Sequence, residues 1–183
     1  MSKMGTPSRL IRKGAVLRFV LWLAGLMIAF NAVFYLWLIG SRPLQAYLSW
    51  NARVSAYLLS IFGESATATE TLVASSRFGL EVKDGCDALQ PIAFFIFAML
   101  ASPVPVRLRS RLVPILMGTL ALLLLNLVRI LTLFYTGIFF PKAFEPLHID
   151  VWQSLFIFLP LTFWLVWAFR AMRSSGTTTH AGS

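Results

Sequence analysis

The chain has one cysteine, two histidines and seven acidic residues in 183 positions, and each scarcity removes a class of function. A lone cysteine, Cys86, excludes an internal disulfide, a metal site built on several thiolates and the thiol pair of a thiol oxidase. It is left to be structural, regulatory or nucleophilic. Charged residues are only 13% of the chain, against 58% hydrophobic and 14% aromatic. A soluble domain is not built this way. The composition is that of an all-α polytopic membrane protein, and 183 residues are enough for one small bundle. No pattern asks for a cofactor or a metal.

The net charge of +9 does not point to nucleic acid, because of where the charges fall. Ten of the sixteen basic residues sit in three places: Lys3 to Arg18, Arg107 to Arg111, and Arg170 with Arg173. All seven acids lie in the other two connections, as Glu64, Glu70, Glu81, Asp84, Asp87, Glu145 and Asp150. The positive-inside rule then places both termini and the Arg107–Arg111 loop in the cytoplasm and predicts four crossings.

Residues 1–16 read as a cytoplasmic basic arm, residues 17–173 as a single membrane-embedded domain and residues 174–183 as a disordered tail, which leaves His180 idle. Crossing one, Leu17 to Ile39, is longer than a signal-peptide core and reads as an uncleaved anchor, with Asn31 as helix-to-helix glue. Leu44, Tyr47, Leu48, Val54, Tyr57, Leu58, Ile61 and Phe62 recur at helical spacing between Pro43 and Gly63, which predicts an amphipathic helix lying on the outer membrane face or dipping into it, or simply a helix that packs on the bundle. Glu64 to Thr71 reads as loop. Thr71–Ala74 and Phe78–Val82 read as a short outer β-hairpin leading into Asp84-Gly85-Cys86-Asp87.

Crossing two is predicted from Cys86 to Ser102; Pro91 in the first helical turn starts the helix at about Asp87 to Gln90 and would leave Cys86 at or just before its N-terminus. Crossing three, Leu112 to Thr136, holds Arg129, a cation that costs at least about 2.5 kcal/mol at mid-membrane unless it snorkels or finds a partner. Either Arg129 faces a site inside the bundle, or it snorkels or is neutralised by a structural carboxylate. Asn126 lies one turn deeper, close enough for the two side chains to meet. Gly137 to His148 reads as a second outer loop, stopped by Pro141 and Pro146. Crossing four runs from Ile149 to Phe169, with Asp150 as N-cap and Pro160 as a kink.

Three reactive groups therefore meet at one depth: Cys86, Arg129 and His148. A thiol at a helix N-terminus has a lowered pKa, a nearby histidine can take its proton and return it to a leaving amine, and an arginine can hold a developing oxyanion. These are the parts of a cysteine acyl-transfer site.

Asp-Gly-Cys86-Asp-Ala-Leu at a helix start, Leu-Leu-Asn126-Leu-Val-Arg129-Ile, and Leu-His148-Ile-Asp-Val-Trp-Gln resemble, in that order, the exosortase and archaeosortase family of membrane transpeptidases, and most of all exosortase H. The resemblance covers about residues 78 to 170. It implies Cys86 as nucleophile, Arg129 as essential arginine and His148 as general acid/base in a multi-pass protein of the bacterial inner membrane. The implied substrates are secreted proteins with a carboxy-terminal sorting signal of the PEP-CTERM kind: a short motif, a transmembrane helix and a basic tail. The acyl group would pass to a surface acceptor, lipid or glycan. Many family members carry a small or amide residue after the cysteine; here stands Asp87, whose charge opposes thiolate formation and which could instead hold Arg129 or His148. A reading of another class stays open, a non-enzymatic membrane subunit or lipid-binding carrier in which Arg129 pairs with Asp87 and Cys86 merely packs.

Overall fold

The computed structural model of the chain describes residues 8–83, 85–104 and 106–177, with side chains from residue 14 to residue 173. Three stretches are helices long and apolar enough to cross a membrane: Gly14–Leu38, Arg109–Phe139 and Pro141–Arg173. Their outward side chains, among them Trp22, Ile28, Leu116 and Phe158, are more than half exposed, as a lipid-facing surface requires. The chain is a helical membrane protein.

Helix α1 (Ser8–Val33) widens into a π-helix (Phe34–Leu38), and Gly40, at φ +74°, turns the chain. Half of the expected basic arm is therefore already helix. Helix α2 (Arg42–Ile61) starts where Ser41 accepts the Leu44 N–H, with Pro43 in its first turn, and ends before Gly63 at φ +88°. Its polar side is not all surface: Asn51 and Ser55, which fall on the polar positions, are buried against helix α4.

The outer β structure has three strands rather than a hairpin. Strands β1 (Thr67–Thr69), β2 (Leu72–Ala74) and β3 (Gly79–Glu81) form an antiparallel meander in that order, with Val73 opposite both Ala68 and Leu80. Strand β1 falls inside the stretch read as loop, since a short edge strand of Thr and Ala carries no apolar alternation to reveal it. The meander leans on the bundle. Val73 and Val82 are buried with Leu48, Ile130 and Phe134 in a core shared by α2 and α4, and Phe78 lies over Gly137, where an added methyl would overlap its ring.

Helix α3 (Leu89–Ala101) starts within the expected Asp87–Gln90 window; its thirteen residues, about 20 Å, are fewer than the expected crossing from Cys86 to Ser102 and fall short of a bilayer core of about 30 Å. It is shortened at the front because Gly85 (φ +87°) and Ala88 (φ +61°) turn the chain, and Asp87 Oδ1 takes the first helical N–H, that of Leu89, at 2.9 Å. At its end Arg111, expected as a free loop cation, lies in the first turn of α4 (Arg109–Phe139) and is only 7% exposed. Its guanidinium donates to the carbonyls of Met99, Leu100, Ser102 and Val104, the acceptors that a finishing helix leaves open.

After α4 the chain breaks at Phe140, whose backbone is extended at φ −138°, just before Pro141, so the helix stops there as expected. From Pro141 on, the expected loop is helical: a 3-10 turn (Pro141–Ala143), a single α-turn α5 (Phe144–Pro146) and a π-helix (Leu147–Trp152) lead without a break into α6 (Gln153–Thr177). Pro146, expected as the second stop, has helical backbone at φ −58° and does not halt the chain. Asp150 is consequently not an N-cap: it sits exposed inside the π-helix. Pro160 lies inside α6, residues 174–177 of the expected tail are helical, and His180 lies outside the described residues. A second core joins α3, α4 and α6 through Phe95, Met99, Leu122, Leu133, Trp152 and Phe156. Arg129 stands on α4 between the two cores, next to Ile130 of one and one turn before Leu133 of the other.

Candidate active site

Cys86 Sγ lies 3.3 Å from His148 Nε2, across 62 residues of sequence. Each side chain is placed by a local irregularity. Cys86 belongs to the turn between β3 and α3, closed by its own N–H donating to Lys83 O at 2.9 Å. His148 is the second residue of the π-helix, whose wider turns re-aim side chains that an α-helix would carry around, and the Phe144 ring stands beside the imidazole.

Arg129 approaches the same turn from α4. It is 6% exposed, Nη1 donates to Gly85 O at 3.0 Å, and its guanidinium carbon lies 5.4 Å from the centre of the Phe156 ring. Its Nε is buried and takes no acceptor among the described residues. Cys86, His148, Arg129, Gln90 and Phe156 line one cavity of about 760 Å³. The three groups that the sequence placed at one depth are in one chamber, with a donor to spare.

The expectation that a helix N-terminus activates the thiol does not hold. Asp87 has taken the leading N–H of α3, and the thiol faces the imidazole instead. Burial raises the Cys86 pKa, with the charge of Asp87 adding to the rise and that of Arg129 working against it. His148 Nε2 stands within proton-transfer distance of the thiol.

Asn126 and Asp150 do not reach the chamber. Asn126 is fully buried below Arg129 and donates to Asn51 Oδ1 at 3.5 Å, so it belongs to the α2–α4 seam. Asp87 is 1% exposed, beside Cys86, with its carboxylate on the start of α3. Sequence reasoning missed Tyr47, whose hydroxyl donates to Asp87 O at 2.6 Å and ties α2 to the cysteine turn. Asn51, four residues on, donates to Tyr47 O, and a tyrosine on the apolar face with an asparagine one turn on was the available signal. Asn31, expected as glue between helices, accepts from Gln90 Nε2 at 3.4 Å and joins α1 to α3. No protein-family model, no curated protein and no solved structure matches this chain.

Proposed function

We propose that the chain is a membrane-embedded cysteine protease or transpeptidase of the exosortase kind, cleaving a carboxy-terminal sorting signal of exported proteins at the outer face of the bacterial inner membrane. The observation that carries this reading is the 3.3 Å approach of Cys86 Sγ to His148 Nε2 in a chamber that also holds a buried, partly unpartnered arginine. His148 Nε2 takes the thiol proton as Sγ bonds to the scissile carbonyl carbon. Arg129 donates to the oxygen as it gains charge. The carbon–nitrogen bond then breaks, His148 returns the proton to the departing amine, and a thioester remains on Cys86. A nucleophilic group of a surface lipid or glycan, or water, resolves the thioester and regenerates the thiol.

In this reading α3 is a fourth, short crossing with the cysteine turn outside it, both termini are cytoplasmic, and the meander and α2 cover the site from outside. A reporter fused after Arg109 should read cytoplasmic and one after Ser65 external; an external signal at Arg109 would break the arrangement. Coexpression with an exported protein bearing an apolar carboxy-terminal helix and basic tail should give a shortened product, which Cys86→Ala abolishes at normal protein level. Continued processing by Cys86→Ala would eliminate the reading. Burial of the thiol favours a second reading, in which Cys86 packs and Arg129 braces the turn of a non-enzymatic subunit, and the same experiment decides between them.

A further inference from the structure

Strand β3 is an edge strand, since β2 pairs with it on one side only. The register fixes which of its backbone groups are used. Val82 N donates to Thr71 O and Ser75 N to Phe78 O, and Val73 faces Leu80 between them, so residues 78, 80 and 82 direct their N–H and C=O groups to β2. By alternation, the N–H and C=O of Glu81 and the N–H of Lys83 point away from β2. No partner takes them among the described residues.

The open edge faces the reactive chamber. Leu80, Glu81, Val82 and Lys83 all line the cavity that contains Cys86 and His148. Neighbouring side chains of a strand point to opposite faces, so Leu80 and Glu81 can border one cavity only if it reaches the strand's edge, and Val82 and Lys83 carry that border on toward the cysteine turn. A second cavity, of about 320 Å³, lies between α2 and this segment, bordered by Gln45, Leu48, Thr71, Glu81, Val82 and Lys83. The edge then runs straight into the cysteine turn, five residues beyond Glu81.

We propose that the substrate of this site is bound as an extended peptide that adds to β3 as a fourth strand, pairing with the backbone of Glu81 and delivering its scissile bond to Cys86. This rests on the peptide-cleaving reading of the site and specifies how the peptide is held. Backbone pairing accounts for a site with few polar side chains. It positions a peptide whatever its side chains, and leaves selection to pockets that alternate along the strand. Leu80 and Phe144 offer an apolar pocket on one side, and the Glu81–Lys83 ion pair at 2.9 Å offers a polar rim.

The test uses full-length Cys86→Ala protein in lipid nanodiscs and a fluorescent synthetic peptide covering the twelve residues that precede the apolar tail of a coexpressed exported protein. Binding is followed by anisotropy. The peptide should bind, and N-methylation at successive positions should weaken it with a period of two, by about tenfold at the sensitive positions, the loss of one to two net hydrogen bonds. Glu81→Pro removes only an outward N–H and should weaken binding several-fold beyond Glu81→Ala, which removes the same side chain and keeps the N–H. Absence of binding, a scan without twofold alternation, or equal effects of the two Glu81 variants would overturn the inference. Because cleavage is not read, alternating binding by a protein that never processes its partner would keep the strand addition and discard the peptidase.

Discussion

Replacing Arg129 by lysine keeps the charge and should remove most of the activity. In the structure the guanidinium already spends one Nη1 donor on Gly85 O at 3.0 Å, the residue before Cys86, and rests beside Phe156. Its Nε takes no acceptor among the described residues, and the proposed reaction asks the group to hold the turn and an oxyanion together, which planar, divergent donors allow. A lysine ammonium has a single nitrogen to serve both positions and no planar face for Phe156. Loss of one oxyanion donor costs about 10²- to 10³-fold in rate, roughly 3–4 kcal/mol. The retained charge recovers part of that, so Arg129→Lys should convert the tail-bearing protein about 100-fold more slowly, and Arg129→Gln more slowly still. The assay is single-turnover conversion in membranes, with product and precursor separated by gel and enzyme level measured in the same sample. Near-wild-type conversion by the lysine variant would show that a point charge suffices and would refute the divergent-donor argument.

Other residues give sharp outcomes. Because burial and Asp87 raise the Cys86 pKa while Arg129 lowers it, labelling by a thiolate-selective reagent should climb with pH beyond neutrality, with Asp87→Asn moving the curve to lower pH and Arg129→Gln to higher; a plateau below pH 7 in the wild type would contradict this. Tyr47→Phe deletes the 2.6 Å bond to Asp87 O, worth about 1 kcal/mol, and should slow conversion about fivefold while leaving peptide affinity close to wild type; an effect on abundance alone would make Tyr47 merely structural. Gly137→Ala places a methyl within the Phe78 ring and should cost about 1–3 kcal/mol, read as a lower melting temperature in detergent and partly recovered by Phe78→Leu. An unchanged melting temperature would mean that the meander is not seated on α4.

What could be read from the sequence divides along physical lines. The long helices were legible because their apolar runs exceed anything a soluble core needs, and α2 because its apolar positions keep helical spacing between Pro43 and Gly63. Strand β1 was not, because Thr67, Ala68 and Thr69 bury little. The helical path from Pro141 through Pro146 was hidden by a sound rule, which holds at Pro141, where α4 has ended, and fails at Pro146, which takes helical backbone. The convergence of Cys86, Arg129 and His148 could be inferred from depth. The 3.3 Å contact could not, because it depends on a left-handed Ala88 and a π-helix, neither of which has a residue signature. The polar seam of Asn51, Ser55 and Asn126 was likewise mistaken in part for a surface, since small polar residues between packed membrane helices look the same in sequence as residues facing water.

The raised thiol pKa fits the chamber. A thiolate standing permanently in a largely apolar cavity would be costly, and a carboxylate held beside it would make it more so. A neutral thiol against a neutral imidazole costs less, and in the proposed reaction the 3.3 Å spacing would let the proton cross when a carbonyl arrives to receive the electron pair. Arg129 would then meet the negative charge as it leaves sulfur for oxygen. Asp87 opposes the thiolate yet holds both the N–H of Leu89, through its carboxylate, and the Tyr47 hydroxyl, through its backbone, so the residue that disfavours the charge also fixes the turn that presents the sulfur. On the proposed reading the cysteine would become reactive through its neighbours' geometry during the reaction and not through a standing charge. Ala88 at φ +61° is part of the arrangement, an unfavourable backbone held because Asp87 on one side and the buried start of α3 on the other leave the turn no other path.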